Sequence, residues 1–149
     1  MNQSLPKSSR VWGMGCHLAG TIAALLGSLL LLPFFTLFIP FVVWRMGRDR
    51  HPFIDEQGQA VMNFLLSMTL YGVAASVLSA FLFLATCGIV MTNSNSSAIN
   101  NALLWMLYIF SSGIAIVAIF QVVVTVFAAV KAFKGESYRY PFALRFLGG

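Results

Sequence analysis

Few side chains in this sequence can do chemistry, and their placement narrows what that chemistry could be. The four carboxylates are Asp49, Asp55, Glu56 and Glu136, and none lies inside an apolar run. Asp55 and Glu56 are adjacent, so on a helix they diverge by about 100° and form no catalytic dyad. His17 sits near the start of an apolar run, where it could move a proton or bond a core partner. Proton-coupled transport needs an ionisable relay inside the bilayer, and His17 alone does not make one. No second histidine, cysteine or acid stands at ligand spacing from it, so no metal site is expected. Gly27-Ser28 is not a nucleophile elbow, and the phosphate-binding glycine pattern is absent. These residues predict neither an enzyme nor a bound cofactor.

The other polar groups of interest are amides within apolar runs. Asn63 shares a helical face with Ala60, Ser67 and Tyr71, and Gln121 has Thr125 four residues on. An unsatisfied amide in lipid is costly. Asn63, Gln121 and Thr125 are therefore expected to bond between helices, or else to line a path through the membrane. Gly15, Ala19, Ala23 and Gly27 recur every four residues, with Gly20, Ala24 and Ser28 alongside. Small residues at that spacing let helices approach closely, within one chain or between copies. Cys16 and Cys87 both lie in apolar runs and read as small core residues, not a disulfide.

The elements that must position these groups are membrane helices. The chain has 149 residues, of which 59% are hydrophobic and 9% charged, and its mean hydropathy is +0.86. Soluble domains carry about 25% charged residues. Residues 1–10 are polar and read as a flexible N-terminus. No charge falls between Val11 and Trp44, a stretch interrupted by Pro33 and Pro40. Proline breaks or kinks a helix, which predicts one helix over 12–32 and a short second over 34–47. Residues 45–58 read as a mixed-charge loop, 59–91 and 102–133 as two long helices, and TNSNSSAINN between them as an uncharged turn. The transmembrane domain is thus 11–134, followed by a basic, aromatic tail over 135–149, read as an interfacial anchor.

Lysine and arginine asymmetry sets the orientation. If residues 11–44 crossed once as a kinked helix, Lys7 and Arg10 would lie outside, against the rule. If they form a hairpin, all nine basic residues are cytoplasmic and only the Asn/Ser loop is outside. The expected fold is all-α and integral to the membrane: a compact bundle of four hydrophobic helices, the first two a hairpin, both termini cytoplasmic. The net charge of +5 then marks topology and anionic headgroups, not nucleic acid.

Two segments outside the apolar runs are distinctive. HPFIDEQGQAVMNF runs from a proline-broken loop into an amide-rich helix start. Asp55 or Glu56 there suits the helix dipole, and Arg48 and Arg50 could pair with them. GESYRYP opens the tail. Together with Cys16-His17-Leu18, and with Pro40 followed by Trp44, these motifs resemble a family of small bacterial membrane proteins of unassigned function. That family is related to the Tic-twenty component of the chloroplast inner-envelope translocon. The resemblance rests on His17, Pro52, Phe53, Asp55, Glu56, Gln59, Asn63, Gly135, Glu136, Tyr138, Arg139, Tyr140 and Pro141. The chain departs from it at Gln57 and Leu65, where typical members have histidine and glutamine. It implies a four-helix membrane fold with both ends on one side, and a distant link to protein translocation.

The expected function is a non-enzymatic interaction or accessory subunit of a larger complex in the bacterial cytoplasmic membrane. Its partners would be the lipid bilayer and other membrane proteins, or further copies of itself. A homo-oligomeric channel and a lipid-binding protein are the alternatives.

Overall fold

The computed structural model describes residues 5–30, 35–92 and 96–148. Helix α1 spans Lys7–Leu30 and α2 Phe35–Gly47, followed by a single 3-10 turn at Arg48–Arg50. Helices α3 (Pro52–Thr92) and α4 (Ser96–Lys134) are far longer, and the tail after α4 has no regular structure. Residues 1–4 of the expected flexible terminus, Pro33, and residues 93–95 of the Asn/Ser loop lie outside the described residues.

Three boundaries differ from the sequence reading. Helix α1 takes in Lys7 and Arg10, α4 begins at Ser96, and α3 begins at Pro52, inside the expected loop. The start of α3 has a local cause. Proline is suited to the first helical position because its missing N–H has no helical partner there anyway. His51 precedes it in an extended conformation and accepts the Phe53 N–H on Nδ1 at 3.1 Å. Asp55 follows in the first turn, favoured by the positive helix end. Acids and amides that read as a loop are instead the opening turns of a 41-residue helix.

The chain divides into two units. The first joins Met1–Thr69 to Gln121–Gly149; the second is Leu70–Phe120. In the first, α1 and α2 pack together as a hairpin, since a Cβ on Gly47 would stand 3.0 Å from both Trp12 and Ile54. The segment before α1 also meets the end of α4 there: a Cβ on Gly135 would lie 3.2 Å from Leu5. All nine basic and four acidic residues belong to this unit. Its core includes Cys16, Ala23, Ile54, Val61, Phe64 and Ala128, with His17, Gln57 and Ser67 buried among them. The four helices are therefore not uniformly hydrophobic, which corrects the expected bundle.

The second unit comprises the C-terminal part of α3 and the N-terminal part of α4. It carries no charged residue and exposes large apolar side chains such as Phe81, Leu84, Trp105, Leu107 and Ile114. Its α3 portion, 70–92, is about 34 Å long at about 1.5 Å per residue, close to the roughly 30 Å hydrocarbon layer. Its hydroxyls bond back into their own helices: Ser76 to the Gly72 carbonyl, Ser79 to Ala75, Thr86 to Leu82 and Ser112 to Ile109, at 2.7–2.9 Å. Polar groups satisfied in this way can face lipid. Among the described residues two helices are long and apolar enough to cross a membrane, over Pro52–Ile89 and Asn100–Lys134.

Candidate functional site

The motif residues converge in the first unit, where the tail lies against α1 and the first turns of α3. Small residues on α1 make the approach possible. A Cβ on Gly13 would stand 3.0 Å from Phe53 and 3.3 Å from Gln57, and one on Gly20 would stand 3.0 Å from Val61. His17 lies between these glycines on the same face. Its Nε2 is 2.9 Å from Gln57 Oε1 and its Nδ1 is 2.6 Å from the Tyr140 hydroxyl. Both contacts are satisfied by a neutral imidazole with the proton on Nε2, Tyr140 donating to Nδ1. Burial pushes the Tyr140 hydroxyl above its ordinary value, so it keeps the proton that it donates. The Tyr140 ring stacks on Phe64 with centroids 4.3 Å apart, and Tyr138 meets it edge-on.

Two turns along α3, Asn63 binds the end of the tail. Its Oδ1 accepts the Phe146 and Leu147 N–H groups at 2.9 and 2.8 Å, and its Nδ2 donates to the Leu147 carbonyl at 2.9 Å. Ser67 Oγ accepts the Leu144 N–H at 2.7 Å and donates to the Asn63 carbonyl. Asn63 is therefore not interhelical glue, as expected from sequence; its partner is irregular backbone that would otherwise lack bonds. Nor does the tail lie wholly as an interfacial anchor, because Tyr140 is buried.

The remaining motif residues shape the surroundings. Asp55 accepts Trp44 Nε1–H at 2.9 Å and Gln59 Nε2–H at 2.8 Å, tying α2 to α3. The pairing expected with Arg48 and Arg50 is absent among the described residues. Arg48 meets Asp49 and the Trp44 ring, and Arg50 lies over Trp12 at 4.6 Å. Pro52 opens α3, and Phe53 packs against α1 at Gly13. Gly135 closes α4 at φ 86, a left-handed conformation that favours glycine. The Gly135 and Glu136 N–H groups bond to the Ala132 and Lys131 carbonyls, completing a Schellman turn. Glu136 also pairs with Lys131 at 3.5 Å. Pro141 is half-buried in the tail, whereas Glu56 and Arg139 are exposed. Thr125 bonds to the Gln121 carbonyl of its own helix, so this pair does not link helices through that hydroxyl. Both cysteines are free thiols.

Sequence reasoning passed over three participants. Gln57 reads from the sequence only as a departure from the resembled family, yet it is fully buried against His17. Ser67 reads only as a face-mate of Asn63. His51 was missed as a cap, although histidine before proline at a helix start was a usable signal.

Fold and site together define a helical membrane protein whose distinctive polar residues fasten its own tail. Over residues 8–147 the chain matches the magnetosome magnetite crystal formation protein family, and it belongs to that family. No curated protein and no solved structure matches it. Membership agrees with a small bacterial family of membrane-associated type; nothing in these comparisons supports the relation to the Tic-twenty component.

Proposed function

We propose that this protein is a non-enzymatic accessory subunit of a membrane assembly in the bacterial cytoplasmic membrane. The observation that carries this reading is the use made of the motif residues. His17, Gln57, Asn63, Ser67 and Tyr140 are spent on fixing the tail, which holds the surrounding charged surface in one conformation. That surface includes Arg139 and Arg145 of the tail, both exposed, and Arg45 of α2 and Arg48 of the turn after it are exposed in the same unit. Ordered polar surface on a rigid scaffold is where binding function usually resides.

The family's printed description supports a setting in which such an assembly takes part in magnetite crystal formation. The Tic-twenty resemblance supports a translocation-like setting instead, and the family match, covering residues 8–147, carries more weight. A homo-oligomeric pore draws less support, because hydroxyls of the charge-free unit are occupied within their own helices.

The test is to extract the tagged protein from its own host in native lipid discs and weigh the particle. The expected result is a stoichiometric second membrane protein, lost when Arg48 and Arg139 are changed to Glu. A particle containing only this chain overturns the accessory reading.

A further inference from the structure

We propose that the cleft between the first turns of α3 and the tail binds the headgroup of an amine-bearing phospholipid, a phosphodiester of the phosphoethanolamine type. The cleft has a volume of about 340 Å³ and is lined by Glu56, Gln59, Ser137, Tyr138, Arg139 and Arg145, among others. Glu56, Arg139 and Arg145 are exposed, and none has an ion-pair partner among the described residues. The other acids differ: Asp49 and Glu136 are ion-paired, and Asp55 is hydrogen-bonded. Two guanidiniums and one carboxylate facing one cleft match a ligand that carries both charges. Arginine binds phosphate oxygens through its planar fork of donors, and a carboxylate binds an ammonium.

The same unit indicates a lipid source for that headgroup. Phe142, Leu144 and Phe146 of the tail beside the cleft are exposed, Phe142 by 73%. The α1–α2 hairpin of this unit also turns Ile22, Leu25, Phe38 and Phe41 outward. Contiguous exposed apolar groups mark a membrane or partner surface, and aromatic residues beside arginine are typical of the headgroup layer. The tail's fixed backbone sets the cleft's far wall, since Asn63 and Ser67 hold residues 144–147 in place.

The experiment is native mass spectrometry of the full chain taken from vesicles holding equal phosphatidylethanolamine and phosphatidylglycerol. The wild type is expected to retain phosphatidylethanolamine in preference. The double variant Arg139→Gln/Arg145→Gln is expected to lower retention by about tenfold. Glu56→Gln is expected to remove the preference between the two lipids. These side chains are exposed, so circular dichroism should show unchanged helix content. Equal retention by wild type and the double variant overturns the site, and equal retention of both lipids by wild type overturns the amine assignment. Binding of inorganic phosphate to lipid-free protein as tightly as lipid overturns the membrane source.

Discussion

Asn63 grips Leu147 from both sides of its peptide backbone. Its side-chain oxygen accepts the Leu147 N–H at 2.8 Å and its side-chain nitrogen donates to the Leu147 carbonyl at 2.9 Å, across 84 residues of sequence. A leucine at position 63 would keep the volume and remove all three bonds to the tail. Each tail group left unpaired costs about 1–3 kcal/mol where water cannot reach it. Hydrogen exchange should therefore show residues 144–147 losing protection in Asn63→Leu while α3 keeps its own. Unchanged protection would mean the tail is held elsewhere.

Tyr140 serves as donor and as ring. Tyr140→Phe keeps the stack on Phe64 and removes the hydroxyl that His17 Nδ1 accepts from. The expected loss is about 1–2 kcal/mol in unfolding free energy. His17→Ala should cost more, because it also strands Gln57. In a double-mutant cycle the two changes should fall short of additive, as expected of residues that share one network. Strict additivity would show that the contact contributes nothing.

Gly58 is fixed by the Trp44 indole. A Cβ there would collide with the Trp44 ring, whose Nε1–H is bonded to Asp55. Gly58→Ala should force the ring aside and break that bond, a cost of about 1–3 kcal/mol for overpacking. The melting temperature should fall, and fluorescence should change in a variant that keeps Trp44 as its one tryptophan. Gly72, where a Cβ meets nothing within 4 Å, is the control: Gly72→Ala should leave the fluorescence unchanged and should not lower the melting temperature, since alanine suits a helix interior better than glycine.

The ends of the helices show why only part of this was legible beforehand. The charge-free stretch from Leu70 to Phe120 announces its setting through composition alone, because lipid excludes charge so strongly. Pro52 to Gly58 gave the opposite impression. Acids and amides beside a proline read as a loop when every helix is assumed to lie in lipid. Here α3 starts in a unit with its own polar core, so Gln57 and Asn63 are buried by protein. The motif residues themselves were identifiable, but not their partners. His17 and Tyr140 are 123 residues apart, and no periodicity links them. The resemblance marked both as distinctive without indicating that each explains the other.

All nine basic and four acidic residues belong to the first unit, and the topology expected from their distribution puts them on one side of the membrane, with the α1–α2 hairpin entering and leaving by that side. Single-cysteine labelling in oriented vesicles tests it most directly, in a background with Cys16→Ala and Cys87→Ala. Cysteines placed at Arg48 and Arg145 should react with an impermeant reagent from the same side, and one placed at Asn100 only from the other. Labelling of positions 48 and 145 from opposite sides would contradict the account.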